Sequence, residues 1–125
     1  MRLLLDSRVL VWWTSTPSDI AAPALSAIDD PGNEVFVSVA TAWELAIKSG
    51  LGRLRMPADL EGMIDQRGLQ KLGIGFGHAA LAGALPRHHG DPFDRMLIAQ
   101  AQSEGLTLVT RDRVFSAYGI LLLKA

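Results

Sequence analysis

Four acidic side chains stand where a chain of alternating strands and helices would gather them: Asp6, Glu44, Asp94 and Asp112. Asp6 directly follows the apolar run Leu3 to Leu5, and Asp112 lies in the loop after the run that ends at Val109. Glu44 falls about one and a half turns into the helix expected after a second strand, within reach of the same edge. Asp94 opens the helix that leads into the strand before Asp112. An open parallel sheet binds ligands at the carboxyl ends of its strands, where strand order reverses, and all four acids fall near that rim. Clustered carboxylates repel one another, and burial raises the cost of keeping them ionised, so a cation is needed to neutralise them. The donors are hard oxygens and the chain has no cysteine, which favours Mg²⁺ or Mn²⁺ over Zn²⁺. Such an ion binds phosphate oxygens, lowers the pKa of a bound water and stabilises a leaving oxygen. Hydrolysis of a phosphodiester uses all three.

Each acid also has a plainer reading. Asp94 at a helix start complements the helix dipole. Asp112 in Thr110-Arg111-Asp112-Arg113 could form a turn, and Asp6 could cap the first helix. Glu44 is hardest to explain away, because Trp43, Leu45 and Ala46 surround it and an unpaired carboxylate there is expensive. Together the four separate readings persuade less than one shared site. Around it, Ser7 could donate to a metal-bound water or help cap the helix. Arg95, Arg111 and Arg113 could steady a phosphate backbone. His88 and His89 adjoin in a loop and point different ways, which suits solvent or phosphate better than metal; His78 reads as incidental. Trp12 and Trp13 suit base stacking, although tryptophans on a helix facing a sheet more often serve the core or a subunit contact.

The elements that must position these residues follow from pattern and punctuation. Leu3 to Leu5 leaves no room for a helix before Asp6 and reads as a buried strand. Val9, Leu10, Trp12 and Trp13 begin a helix, Pro17-Ser18 breaks it, and Ile20, Ala24, Leu25 and Ile28 mark a second one ending near 29–32. Glu34 to Ser38 is the second strand. A helix over 41–49 follows, with Ser38 as cap and Gly50 as stop. Pro57 opens a helix over 58–67, 69–76 forms a short strand, and 78–85 a short helix. After the loop 88–92 comes an amphipathic helix over 93–104 capped by Gly105. Strands at 106–109 and 120–123 complete the chain. This alternation predicts an α/β domain with a mainly parallel sheet covered on both faces.

With 125 residues, 49% hydrophobic and 20% charged, one domain spanning the chain is expected and disorder is excluded. The lack of cysteine removes disulfides and thiolate metal sites and suits a reducing, cytoplasmic compartment. Asp6 interrupts the apolar start and no small-residue cleavage site follows, so no signal peptide is expected. No run approaches the ~18 apolar residues of a membrane span. The net charge of -1 argues against a protein that coats nucleic acid. Between Arg87 and Arg113, however, Arg and His alternate with Asp91, Asp94 and Asp112. That mixture fits a phosphate-handling site, and any single Arg among them fits a solvated surface.

The same residues resemble a known family. LLLDSRVLVWW is similar to the opening of PIN-domain proteins, SVATAWELAIKSGLGRLRMP to the segment carrying their second acid, and HHGDPFDRMLIAQAQSEGLTLVTRDRVF to their third and fourth. The likeness runs in order over nearly the whole chain, and the motifs are specific as a set. It implies a three-layer PIN fold with about five strands and Mg²⁺- or Mn²⁺-dependent endoribonuclease activity. The size resembles a VapC-type toxin of a bacterial type II toxin–antitoxin pair, which implies an RNA substrate, a homodimer and inhibition by a cognate antitoxin. By that resemblance Asp6, Glu44, Asp94 and Asp112 form the acidic quartet. Asp6 and Asp94 would be the most direct ligands, and Glu44 and Asp112 would act directly or through water. The family's Asp-Thr-His opening is here Asp6-Ser7-Arg8, which keeps a hydroxyl and sets a permanent cation near the site. Of the two acids in the loop, Asp94 is preferred as the ligand, while Asp91, held before Pro92, pairs with Arg95 or supports the site.

Two other classes compete with the nuclease. One is a PIN-like module that has lost catalysis and only binds RNA or a protein, a reading that Arg8 keeps open. The other is a receiver-type phosphoacceptor, which also sets acids at strand ends. It requires a suitable lysine, and Lys124 is expected beyond the last strand.

Overall fold

Leu3, Leu4 and Leu5 are each wholly buried, so the first strand has no solvent-facing side and must lie inside a sheet covered on both faces. A computed structural model describes residues 1–125 and bears this out. Strands β1 (Arg2–Leu5), β2 (Glu34–Ser38), β3 (Gln70–Leu72), β4 (Thr107–Thr110) and β5 (Leu122–Lys124) form one sheet in the order β3-β2-β1-β4-β5. Every pairing is parallel, with Leu3 opposite Val35 on one side and Thr107 on the other. From β1 the chain builds outward through β2 and β3, then returns to lay β4 and β5 on the opposite flank. Strand order therefore reverses between β1 and β4, where such sheets open a crevice at their carboxyl edge.

Alternation along β1 divides the core. Leu3 and Leu5 face a cluster with Val9, Leu10 and Trp13 of α1 (Ser7–Ser15), Ala24 and Ile28 of α2 (Ala22–Asp29), Leu45 of α3 (Val39–Gly50) and Ile64 of α4 (Leu60–Gln66). Leu4 faces the other layer: Ala82 of α5 (Phe76–Ala84), Leu97, Ile98 and Ala101 of α6 (Pro92–Glu104), and Phe115. No helix is long and apolar enough to cross a membrane.

The expected elements all occur, with shifted ends. Ser38 caps α3 by accepting from the Ala40 amide at 3.0 Å. Gly50 does not stop that helix but is its last residue; the chain turns at Gly52, whose φ of 70° only glycine adopts readily. Pro57 lies ahead of α4, which Asp59 caps through the Gly62 amide. The strand expected over 69–76 shortens to Gln70–Leu72, because Phe76 already begins α5. Gly105 ends α6 in the left-handed region, as expected. The last strand lies later than its apolar letters suggest, at Leu122–Lys124, since a 3-10 segment (Arg113–Tyr118) and its turn occupy the approach. Lys124 is thus inside β5, paired in register with Thr110, and does not line the cavity that holds the acids. A receiver sheet also runs in a different order, 2-1-3-4-5, so the phosphoacceptor reading falls.

Candidate active site

The carboxyl edge between β1 and β4 opens into a cavity of about 780 Å³ whose lining contains Asp6, Glu44, Asp94 and Asp112 together. Four separate segments deliver them. Asp6 follows β1 at the position that would cap α1, but its side chain makes no capping bond. One carboxylate oxygen instead accepts the Thr110 hydroxyl of β4 at 2.7 Å, which ties the two switch-point strands together at the site. Glu44 belongs to the buried stripe of α3 with Ala40, Thr41 and Leu45 and so points inward. It is not unpaired. Ser7 donates to its Oε1 at 2.5 Å and Lys48, one turn on, to its Oε2 at 2.8 Å. The one proton of Ser7 is thereby directed at Glu44 and is not available to donate to a bound water, and α1 has no side-chain capping bond.

At the start of α6 the two aspartates divide the work. Asp91 is the cap, accepting from the amides of Phe93 at 2.8 Å and Asp94 at 3.3 Å. Asp94, relieved of capping, turns into the cavity. Asp112 does both tasks: Oδ1 accepts the Val114 amide at 2.9 Å and starts the 3-10 segment, while Oδ2 faces the site. Its turn-forming reading and its functional reading are each satisfied by a different oxygen.

Burial and like charge act on this cluster. Burial raises the Asp6 pKa above the ordinary carboxylate value, and Glu44 adds to it; Thr110, the Ser7 amide and Arg8 pull the other way. Burial, then the charges of Asp6, Asp91 and Glu44, push Asp94 up to about 7, against the opposing pull of His89. Protons are what such a cluster takes up when no other cation is available. A divalent ion would neutralise the same charge, and the donor set is the oxygen-rich one that a hard ion prefers. The residues fit a divalent metal.

The basic residues depart further from expectation. Arg95 neither pairs with Asp91 nor reaches a phosphate. It is buried, and its guanidinium donates to the carbonyls of Ala82, Leu85, Pro86 and His89 at 2.8 to 3.3 Å. The end of α5 and the loop to α6 turn those carbonyls inward, and buried carbonyls require donors. Arg111 is held by the carbonyls of Ala125 and Asp19 and stacks over Trp12 at 4.2 Å, on the cavity wall. Arg8 and Arg113 are exposed on the rim. Trp13 goes to the core, where its indole donates to Asp29. His78 is far from incidental: it accepts the Gly75 amide at the start of α5 and meets Glu104 near the end of α6 at 2.9 Å.

Sequence reasoning missed three members of the site. Lys48 was signalled by its i,i+4 spacing from Glu44, and Thr110 by its place at the end of β4. His89 was expected to face solvent or phosphate. Its Nε2 lies 3.0 Å from Asp94 Oδ2 and 3.2 Å from Asp112 Oδ2, so it faces the acids, while His88 turns away to pack on Tyr118.

Comparison with known proteins agrees with this fold. Residues 3–121 match the family model described as PIN domain. Ribonuclease VapC22 of Mycobacterium tuberculosis (strain ATCC 25618 / H37Rv) is 34% identical over 114 residues, covering 89% of this chain and 87% of that protein. The fold is shared with VapBC2 from Rickettsia felis bound to a DNA fragment from their promoter, with a TM-score of 0.73, 17% identity, and 99% and 98% of the two chains covered. A toxin–antitoxin complex from Klebsiella pneumoniae gives a TM-score of 0.62 at 22% identity, with 88% and 86% covered.

Proposed function

The chain belongs to the PIN domain family, and from that premise we propose that it is a metal-dependent endoribonuclease, the toxin of a type II toxin–antitoxin pair. The observation that carries the proposal is the arrival of Asp6, Glu44, Asp94 and Asp112 from four segments in one cavity. Residues 1–125 act as a single PIN domain. Asp6 and Asp94 would hold Mg²⁺ or Mn²⁺ most directly, with Glu44 and Asp112 bound to it directly or through water. Bound there, the ion would bind phosphate oxygens, activate a water and stabilise the leaving oxygen.

The chain's own residues prepare for that. Thr110 fixes the Asp6 carboxylate, and Ser7 and Lys48 fix Glu44 from both sides, so neither acid has to be ordered when substrate arrives. Arg8, Arg111 and Arg113 set positive charge around the acidic floor, where contacts to the phosphate backbone orient RNA without reading its sequence. Trp12, partly exposed on the cavity wall, is covered by Arg111, so a base stacks there only if that guanidinium moves aside.

Homodimerisation is supported by α3, where Val39, Trp43, Ile47 and the following Leu51 are exposed at i,i+4 spacing. This apolar stripe runs beside the face that carries Glu44, roughly a quarter turn round the helix. A cognate antitoxin would hold the toxin inactive by filling the cavity. The test is incubation of purified, partner-free protein with RNA and Mn²⁺, with and without EDTA. Cleavage should occur only without chelator and disappear in Asp6→Asn and Asp94→Asn, both still folded. RNA binding without cleavage in the wild type would favour the non-catalytic module; full activity of both variants would defeat the site assignment.

A further inference from the structure

His89 is held more firmly than a loop histidine on a cavity wall needs to be. Its amide donates to the Tyr118 hydroxyl at 2.7 Å, and that hydroxyl donates to the Pro86 carbonyl at 2.8 Å. Its carbonyl accepts from Arg95 at 3.3 Å. Its ring lies at 32° to Phe115, with centroids 5.5 Å apart. Both ring nitrogens are engaged. Nδ1 accepts the Asp91 amide at 3.1 Å, and Nε2 meets Asp112 at 3.2 Å and Asp94 at 3.0 Å.

The first of these contacts decides the second. A neutral imidazole has one donor and one acceptor nitrogen. Because an amide N–H points at Nδ1, that nitrogen carries the lone pair, and the ring proton sits on Nε2. Nε2 is therefore a donor toward carboxylates, and a nitrogen that carries a proton has no lone pair for a metal. To become a ligand it would have to move its proton to Nδ1, straight against the Asp91 amide. Asp91 is the cap of the helix that presents Asp94, so that move would also loosen α6 where it delivers a carboxylate.

We propose that His89 is a positioning residue of the acidic site: its Nε2–H donates to Asp112 and stands 3.0 Å from Asp94, keeping the two carboxylates at a fixed separation, and it does not ligate the ion they receive. Asp94 lies in the first turn of α6 and Asp112 caps the 3-10 segment after β4, and no other side chain is hydrogen-bonded or ion-paired to both. Without this bridge each carboxylate would have to be ordered when the ion binds. With it, Asp112 keeps Oδ1 on the Val114 amide and Oδ2 on His89, while Asp94 sets its Oδ2 3.0 Å from the same nitrogen. Partners behind metal ligands typically change metal affinity ~10- to 100-fold when removed.

This inference rests on the metal-site reading above, and the test separates the two. Mn²⁺ affinity is measured by calorimetry and by the electron paramagnetic resonance signal of free ion, on wild type, His89→Asn and His89→Gln. Asparagine reproduces the Nδ1 side of the ring, toward the Asp91 amide, but falls short of the acids; glutamine carries an N–H₂ to the Nε2 position. The expected result is affinity weakened ~10- to 100-fold in His89→Asn and largely restored in His89→Gln. Equal losses in both variants would assign His89 to loop folding alone and overturn the proposal. Unchanged affinity in both would overturn it too, leaving the nuclease reading in place. Nitrogen NMR of the wild-type imidazole gives an answer without mutation. Nε2 should remain protonated after Mg²⁺ is added; loss of that proton would make His89 a ligand and refute the proposal. A wild type that binds no Mn²⁺ would refute the metal site itself.

Discussion

Asp94→Asn in metal-free protein should make the fold more stable while destroying its activity. Burial first, and then the charges of Asp6 and Asp91, hold the Asp94 pKa near 7 in the folded state, against 3.8 in the unfolded chain. The folded state therefore binds more protons than the unfolded state between those values. Stability is greatest below the unfolded pKa, falls as pH rises, and levels off above about 7. A shift of about three units at 1.36 kcal/mol each gives about 4 kcal/mol. The side chain is partly exposed, and solvent screening roughly halves this, to about 2 kcal/mol. Asparagine keeps the shape and an acceptor for His89 but never ionises. In EDTA at about pH 8, urea denaturation should find Asp94→Asn more stable than wild type by about 2 kcal/mol. At about pH 5 the gap should shrink to roughly half that or less. Excess Mg²⁺ should reverse the order, since an ion that binds only the folded wild type stabilises it by mass action. A wild type as stable as the variant in EDTA at the higher pH would show that the carboxylates do not strain the fold, and the argument for a cation between them would fail.

Other perturbations reach the scaffold and the surface. Arg95→Gln leaves several inward carbonyls without a donor and should lower stability by about 3 kcal/mol in urea denaturation. An unchanged midpoint would mean that the loop before α6 finds other donors. Trp43→Glu places a charge in the middle of the exposed stripe of α3. In sedimentation equilibrium it should weaken self-association by at least about 30-fold, the effect of losing one interfacial tryptophan; an unaltered dimer would place the contact elsewhere.

The sequence alone determined the alternation of strands and helices and the candidacy of the four acids, because both are written in local pattern. Leu3 to Leu5 is too short and too apolar for anything but a buried strand, and Glu44 is too costly on an apolar helix to be idle. The same letters could not say which nearby aspartate caps α6, since Asp91 and Asp94 both suit a helix start; the cap geometry chose Asp91 and freed Asp94. Nor could they place Arg95, because its partners are backbone carbonyls, and every residue type carries those. His89 was legible only in three dimensions. Its role depends on two loops, at 85–91 and 111–112, arriving on the same side of the sheet, and that meeting is made by the reversal of strand order between β1 and β4. Local pattern specifies what a residue can donate or accept. The long-range packing of the sheet determines what it meets.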